Sequence, residues 1–140
     1  MIKKTFLVTG GLGFIGSAIV KKLSSQKKYE VVVFDNLSRK NRIFNKIKNV
    51  KYIFGDIRKL EDVNKCFKNK IDAVVHLAYI NGTSSFYKIP CDILEVGTKG
   101  IINLLDICLY PFFNLLSINF SVSLILNFLY CFLPFVFFLP

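Results

Sequence analysis

Hydrophobic residues follow two alternating patterns along the first 110 positions of the chain. Short runs dominated by apolar and β-branched residues are typical of buried parallel strands, and they occupy residues 5–9, 30–34, 50–54 and 71–77. Between these runs, apolar side chains recur every three or four positions, which predicts helices at residues 14–25, 60–69 and 92–109. Residues 36–49 and 82–87 are predicted to be loops, the first with room for a short helix.

Strands that alternate with helices predict an α/β fold. Right-handed crossovers then build a doubly wound parallel sheet with helices on both faces. The carboxyl ends of such strands share one edge of the sheet, and ligands bind at that edge as a rule. The residues that follow each predicted strand are therefore the first candidates for a binding site.

The last 30 or so residues break this pattern. All 19 Lys and Arg residues and all 9 Asp and Glu residues lie between Lys3 and Asp106, and no charged side chain follows. Residues 112–133 are uncharged and mostly apolar, with Asn and Ser between the apolar positions, and are long enough to cross a bilayer. The chain is therefore expected to divide into a basic domain at residues 1–110 and a hydrophobic tail at residues 111–140.

The formal net charge of +10 has two interpretations. It favours an anionic partner such as nucleic acid, a membrane surface or a nucleotide, or it reflects a chain rich in Lys, Asn, Ile and Phe. The lysines fall at predicted helix ends and loops without forming one block, and no nucleic-acid-binding motif accompanies them. The second interpretation is favoured, and no nucleic-acid partner is predicted.

The four cysteines are Cys66, Cys91, Cys108 and Cys131, and no Cys-x-x-Cys pair or nearby histidine accompanies them at the spacing of metal ligands. Neither a metal site nor a disulfide framework is predicted. The first strand begins too close to the N-terminus to leave room for a signal peptide. Reduced thiols in a cytoplasmic protein are the expectation.

Residues 5–17, TFLVTGGLGFIGS, join the first predicted strand to the first predicted helix through glycines. Gly11, Gly13 and Gly16 fit the pattern G-x-G-x-x-G, and Gly10 precedes them. Glycines at these positions permit a tight turn, a close approach of the backbone to a pyrophosphate, and close packing of the helix on the sheet. The start of the helix then offers backbone N–H groups and the positive end of its dipole to the phosphates.

Asp35 follows the second predicted strand, about 20 residues beyond Gly16. A carboxylate at this point accepts hydrogen bonds from both hydroxyls of an adenosine ribose and repels a 2′-phosphate, which favours NAD over NADP. Arg39 and Lys40 just downstream are a counter-signal, since cations accommodate such a phosphate.

In combination, TGGLGFIGS, FDNLS, GDI and VVHLA resemble the N-terminal part of the NAD-dependent epimerase/dehydratase family, the extended short-chain dehydrogenases/reductases. The resemblance covers roughly residues 3–109. It implies an incomplete Rossmann-type sheet, a nicotinamide dinucleotide cofactor and, in the intact family, a nucleotide-sugar substrate.

The same resemblance implies four contact regions for the cofactor. The pyrophosphate would be contacted by Gly10, Gly13, Phe14, Ile15 and Gly16. Asp35 and Asn36 would hold the adenosine ribose, and Asp56 and Ile57 would flank the adenine. Leu77 and Ala78 would line the path to the nicotinamide ribose. Asp56 would accept a hydrogen bond from the exocyclic amine of the adenine.

Other polar residues near these motifs receive more ordinary interpretations. His76 ends the fourth strand and, by the resemblance, belongs to a structural motif near the cofactor. Thr83, Ser84 and Ser85 are interpreted as loop hydroxyls more than as substrate contacts. The segment EVGTKGIINLLDIC resembles the family pattern V-N-x-x-G-T-x-N-L-L-E, with Gly97 in place of an Asn that helps to position the catalytic groups.

The catalytic pair that the resemblance implies is missing from this sequence. In the family, a Tyr-x-x-x-Lys pair takes a proton from the substrate. Here Tyr110 and Tyr130 are followed by PFFN and CFLP, and no Lys or Arg lies beyond Lys99. The sequence therefore predicts no catalytic residue.

The tail has three interpretations. The abrupt end of the resemblance favours the product of a frameshifted or truncated reading frame over a membrane anchor or a buried helix unlike the family. The leading hypothesis is thus the NAD-binding portion of a nucleotide-sugar epimerase or dehydratase, without turnover of its own. The alternative is a membrane-anchored NAD-binding module without catalysis. With part of the sheet missing, the edge beyond the fourth strand is expected to be unpaired and the chain poorly soluble.

Overall fold

The computed structural model describes residues 3–38, 45–113 and 135–138. Its strands are β1 (Lys4–Thr9), β2 (Tyr29–Asp35), β3 (Val50–Phe54), β4 (Ala73–His76) and β5 (Phe135–Phe138). Its helices are α1 (Phe14–Ser24), α2 (Leu60–Asn64) with a following 3₁₀ turn (Lys65–Lys68), α3 (Thr83–Lys88) and α4 (Pro90–Phe113).

The predicted parallel sheet is confirmed for the first four strands. The strand order is β3-β2-β1-β4-β5, in which β1 pairs in parallel with β2 and β4, and β2 pairs in parallel with β3. Alternate residues of β1 enter different cores: Leu7 packs on one face with Val96 and Leu104 of α4, and Val8 packs on the other with Val20 of α1. Helices therefore cover both faces of the sheet, and the loops that leave β1, β2, β3 and β4 meet at its carboxyl edge.

The segment predicted to be a loop at residues 82–87 contains α3 (Thr83–Lys88), so that prediction is wrong. Gly82 precedes the helix with a φ of 129°, and the hydrogen bonds at its start are local, with Ser85 N donating to Gly82 O at 2.9 Å. None of the residues of α3 is buried. A helix with no buried face leaves no apolar periodicity in the sequence, which is why the pattern did not reveal it.

The expected unpaired edge beside β4 is also wrong. β5 (Phe135–Phe138) pairs antiparallel with β4, from Ala73 opposite Phe138 to His76 opposite Phe135. The N–H and C=O groups along an edge of β4 require partners, and an apolar strand from the tail supplies them.

Most of the tail that was interpreted as a frameshift product, an anchor or a buried helix lies outside the described residues, at 114–134. Over the ranges that the structure does describe, no helix combines the length and the apolar character needed to cross a membrane.

Positive charge collects at the amino edge of the sheet. The segments that begin or precede the four parallel strands each carry exposed lysines, among them Lys3, Lys28, Lys48 and Lys70. These lysines form no block along the sequence, but the parallel topology brings them to one edge. A groove of about 740 Å³ lies at the same edge and is lined in part by Lys3, Lys27 and Lys51. This concentration of charge lies opposite the carboxyl edge, where the candidate site was predicted.

Candidate functional site

The glycine loop after β1 joins three strand ends at the carboxyl edge. Gly10 has a φ of 65°, and a Cβ on it would lie 2.6 Å from the Leu77 carbonyl oxygen and 2.7 Å from the Ala78 nitrogen. Its N–H donates to the carbonyl oxygen of Phe34 in β2 at 2.8 Å. Only glycine fits this conformation and this space, so Gly10 holds the ends of β1, β2 and β4 together.

Gly16 and Gly13 serve different purposes in the same loop. A Cβ on Gly16 would lie 2.2 Å from the Gly10 carbonyl oxygen and 2.8 Å from the Gly11 Cα, so α1 rests directly on the loop backbone. A Cβ on Gly13 would lie 3.0 Å from the Gly10 carbonyl oxygen. Apart from the chain neighbours of Gly13, no other heavy atom of the described residues lies within 4 Å of that position. The Cβ position of Gly13 is thus crowded by this one backbone oxygen alone, and the absence of a side chain at Gly13 leaves its backbone accessible to a phosphate.

The start of α1 has the properties of an anion site. Gly13 caps the helix without a side-chain hydrogen bond, and the first turn contains no acidic residue. Phe14 and Ile15 in that turn are 74% and 56% exposed. The positive end of the helix dipole is therefore accessible and is not neutralised by a carboxylate of the first turn. These residues fit the pyrophosphate of a dinucleotide.

Asp35 ties the end of β2 to the glycine loop. Its Oδ2 accepts a hydrogen bond from Leu12 N and its Oδ1 accepts one from Leu37 N, both at 2.9 Å. Each carboxylate oxygen can accept a second hydrogen bond, so the group keeps capacity for ribose hydroxyls. Asn36 is exposed, and its Oδ1 accepts from Ser38 N at 3.0 Å, which stabilises the turn that follows. Arg39 and Lys40, the two cations that would accommodate the 2′-phosphate of NADP, lie outside the described residues.

Asp56 lies just beyond β3 and is held by an arginine that the sequence analysis missed. Arg58 binds the Asp56 carboxylate through Nε and Nη2, the latter at 2.7 Å, and its Nη1 reaches Asp92 at 3.0 Å and Glu95 at 3.4 Å. Hydrogen bonding from the Arg58 side chain holds the pKa of Asp56 below its usual value. The partners on α4 are more than 30 positions away, so nothing local in the sequence signals this network.

The structure places the Ile57 side chain in the core, where it is 3% exposed. Its carbonyl oxygen accepts a hydrogen bond from Asn103 Nδ2 at 2.8 Å, and a Cβ on Gly100 would lie 3.1 Å from its side chain. The loop after β3 is thus fixed to α4 by packing at Ile57 and by ion pairs at Arg58.

Thr9 and His76 organise the end of β4. The buried Thr9 Oγ1 accepts hydrogen bonds from Leu77 N at 3.1 Å and Ala78 N at 3.3 Å, and it lies 2.7 Å from His76 Nδ1. A hydroxyl that accepts two hydrogen bonds donates its proton to the third partner, so Nδ1 is the acceptor and the imidazole proton lies on Nε2. Burial lowers the pKa of His76 to about 4 and keeps the ring neutral.

The remaining candidates are placed as follows. Thr83, Ser84 and Ser85 belong to the start of α3, and Gly97 of α4 faces the ring of Tyr79. Among residues 3–38, 45–113 and 135–138, no cluster of three His, Cys, Asp or Glu side chains is arranged to hold a metal ion.

Known proteins show the same combination of sequence and fold. The NAD dependent epimerase/dehydratase family matches this chain over residues 6–119. The chain is similar to the "Bifunctional protein GAL10" of Candida maltosa, 34% identical over 113 residues that cover 74% of this chain and 72% of that protein. It is also similar to CDP-paratose 2-epimerase of Salmonella typhi, with 36% identity over 106 residues. That match covers 71% of this chain and 31% of that protein.

Solved structures agree with the sequence comparison. The UDP-glucose 4-epimerase of Thermus thermophilus in complex with NAD superimposes with a TM-score of 0.66 and 36% identity, over 74% of this chain and 33% of that one. The chain therefore spans about a third of the length of the Salmonella typhi and Thermus thermophilus proteins. The parallel sheet, the glycine loop and these matches lead to one conclusion: the chain belongs to the NAD-dependent epimerase/dehydratase family.

Proposed function

We propose that this chain binds NAD along the carboxyl edge of its sheet, as the dinucleotide-binding portion of a nucleotide-sugar epimerase or dehydratase. One observation carries the proposal. The glycine loop and the start of α1 offer an accessible, positively polarised anion site, and the carboxylate of Asp35 is hydrogen-bonded to that same loop. Two of the relatives named above, CDP-paratose 2-epimerase and UDP-glucose 4-epimerase, are epimerases of nucleotide sugars by their names, and the second is a complex with NAD.

The strand order supports one path for the cofactor. The pyrophosphate lies over the start of α1, and the adenosine ribose bonds to Asp35 at the end of β2, helped by Asn36. The base then extends outward over the loop after β3, and the nicotinamide half crosses to Leu77 and Ala78 after β4. When bound, NAD supplies a hydride acceptor for a sugar carbon, while the residues of this chain bind and orient it.

The preference for NAD over NADP rests on Asp35. A 2′-phosphate on the ribose would be brought against a carboxylate already fixed by two backbone N–H groups. Repulsion between these like charges disfavours NADP.

We further propose that this chain alone converts no nucleotide sugar, since its sequence lacks the Tyr-x-x-x-Lys pair that the family resemblance implies. Residues 1–110 are the proposed dinucleotide-binding domain, and residues 111–140 the segment that departs from it. Cytoplasmic location remains a prediction. The test for turnover is incubation with NAD and UDP-glucose, CDP-paratose or their epimers, and detection of any product would contradict this part of the proposal.

Binding is tested by calorimetric titration of the purified chain with NAD and NADP. We expect saturable binding of NAD, and weaker binding of NADP. Asp35→Asn should weaken NAD binding by about tenfold, because it removes a charged acceptor from the ribose, and should narrow the difference between the two cofactors. No binding of NAD by the folded wild-type chain would refute the proposal.

Asp72→Asn is the matched control. Asp72 also accepts a backbone hydrogen bond, from Thr5 N at 2.8 Å, but it lies at the amino edge of the sheet. Both variants therefore lose a carboxylate that anchors a strand, and only one of them lies at the proposed site. Equal loss of NAD affinity in the two variants would show that the effect of Asp35 is one of stability.

A further inference from the structure

The groove at the amino edge of the sheet lies on the side opposite the proposed NAD site, and the proposed function makes no use of it. Its volume of about 740 Å³ falls within the range of small-molecule sites, about 300–1,000 Å³. Its walls come from the segments that begin the four parallel strands and from the end of α1. This amino-edge groove is therefore large enough to hold a small ligand.

The lining of the amino-edge groove carries more positive than negative charge. Lys3, Lys27 and Lys51 contribute three cations, and Glu30 contributes the only carboxylate among the described lining residues. Glu30 is paired with Lys3 at 3.6 Å. Lys27 and Lys51 form no ion pair within the part of the chain that the structure describes. Two cations of the groove are therefore available to an anionic ligand.

Neutral hydrogen-bond donors accompany these cations. Gln26, Asn49 and Asn69 line the groove, and their side-chain amides form no hydrogen bond with other described residues. The hydroxyls of Ser24 and Ser25 are already engaged, because each donates to a carbonyl oxygen of α1. An amide N–H donates to an anionic oxygen as readily as it does to a carbonyl. A ligand rich in acceptor oxygens therefore matches both the cations and the amides.

Two features of the groove argue against a macromolecular polyanion. Tyr29 is the one aromatic residue among the described lining residues, and its ring packs edge-on against Phe6 with the centroids 4.9 Å apart. Lys28 Nζ lies over the same ring, 4.9 Å from its centroid. The ring is thus engaged within the chain and does not form the open stacking platform that single-stranded nucleic acids use. The surface is also concave, which does not fit the plane of a bilayer.

We propose that the amino-edge groove binds a small oligophosphate between Lys27 and Lys51. Each phosphate group brings negative charge and several strong acceptor oxygens, which match the two unpaired cations and the amides beside them. The chemistry is shared by free inorganic oligophosphate and by the phosphate chain of a nucleotide. Because this groove and the proposed NAD site lie at opposite edges of the sheet, the two ligands bind independently.

The test is calorimetric titration of the purified chain with inorganic tripolyphosphate, in the presence of saturating NAD. We expect saturable binding with a stoichiometry near one. Lys27→Gln and Lys51→Gln should each weaken it by about fivefold, the upper end for one exposed ion pair. The double variant should weaken it by about 25-fold if the two effects add. If the chain binds no NAD, the proposed function fails, and the same titration without NAD still decides this inference.

Two control variants separate the groove from general effects of charge and stability. Lys88→Gln removes an exposed lysine of α3, a helix that follows the carboxyl end of β4, and should leave the affinity unchanged. Glu30→Gln removes the carboxylate of the groove and frees Lys3, so the affinity should rise by about threefold. A loss of stability does not produce a rise in affinity.

Several results would overturn the inference. These are the absence of binding below about 1 mM tripolyphosphate, an equal loss of affinity in Lys88→Gln, and competition between tripolyphosphate and NAD, which would place both ligands at one site. Equal affinity for citrate would overturn the assignment to phosphate. Tighter binding of a single-stranded oligonucleotide would replace the small ligand by a nucleic acid.

Comparison of tripolyphosphate with ATP, again at saturating NAD, distinguishes the two sources of the ligand. Equal affinities support a site that recognises the phosphate chain alone. A higher affinity for ATP, lost in parallel with that for tripolyphosphate in Lys27→Gln and Lys51→Gln, supports a nucleotide in the same groove. A higher affinity for ATP that these two variants leave unchanged would place the nucleotide elsewhere and overturn the inference for nucleotides.

Discussion

Substitution of Gly16 tests how closely α1 must approach the glycine loop. In Gly16→Ala the new Cβ would lie 2.2 Å from the Gly10 carbonyl oxygen, so helix and loop must separate by about 1 Å. The contact is with backbone and no rotamer relieves it, which places the cost near 3 kcal/mol, at the upper end for overpacking. Alanine recovers about 1 kcal/mol of helix propensity. The net loss of unfolding free energy is thus about 2 kcal/mol.

Gly97→Ala provides the comparison, because it makes the same change in the interior of α4. There the new Cβ would lie 3.0 Å from Cε2 of Tyr79, a side chain that is 38% exposed and able to move aside. This variant should be neutral or more stable by up to about 1 kcal/mol.

Thermal unfolding followed by circular dichroism distinguishes the two variants. About 2 kcal/mol corresponds to a fall in Tm of roughly 6–8 °C in a chain of this size, which is expected for Gly16→Ala alone. Gly16→Ala should also weaken NAD binding, since the start of α1 forms the proposed anion site. A Tm within about 2 °C of the wild type, or an equal fall in both variants, would refute the packing argument.

Three other predictions concern Thr9, His76 and the cysteines. Thr9→Val should cost about 2 kcal/mol in a urea titration, because it removes the hydroxyl that accepts from Ala78 N and bonds to His76 Nδ1, while Leu77 N keeps the Thr9 carbonyl oxygen; Thr9→Ser should retain most of the stability. Because burial lowers the pKa of His76, the unfolded chain binds more protons than the folded one between about pH 6.5 and 4. The free energy of unfolding should therefore fall by about 2 kcal/mol from about pH 7 to pH 5. His76→Asn should abolish this fall. The exposed Cys91 should react rapidly with iodoacetamide at pH 8, and Cys66, whose thiol pKa burial raises to about 12, only after unfolding.

The sequence predicted the parallel part of the fold well because burial there leaves a simple signal. The strands β1 to β4 form near the predicted positions, since each is an apolar run with glycine or a polar residue at its end. The glycine loop was equally predictable, because a positive φ at Gly10 and a close contact at Gly16 each exclude other residues.

Features that depend on contacts between distant segments were not predictable. The Arg58 network joins a loop to α4, and the pairing of β5 with β4 joins segments about 60 residues apart. α3 escaped notice for a different reason, as it buries no side chain. Pattern analysis of one sequence reports burial and local geometry, so it misses elements held by long-range partners or by none.

The distribution of charge bears on how the proposed site would recognise a dinucleotide. Among the described residues, the exposed lysines Lys3, Lys28, Lys48 and Lys70 lie at the amino edge, away from where the phosphates of the dinucleotide are proposed to bind. The carboxyl edge carries Asp35 instead, already hydrogen-bonded to backbone N–H groups of the loops around it. At the proposed site, recognition would depend on the helix dipole, on backbone N–H groups and on acceptors fixed before the ligand arrives. Such preorganisation reduces the entropic cost of binding.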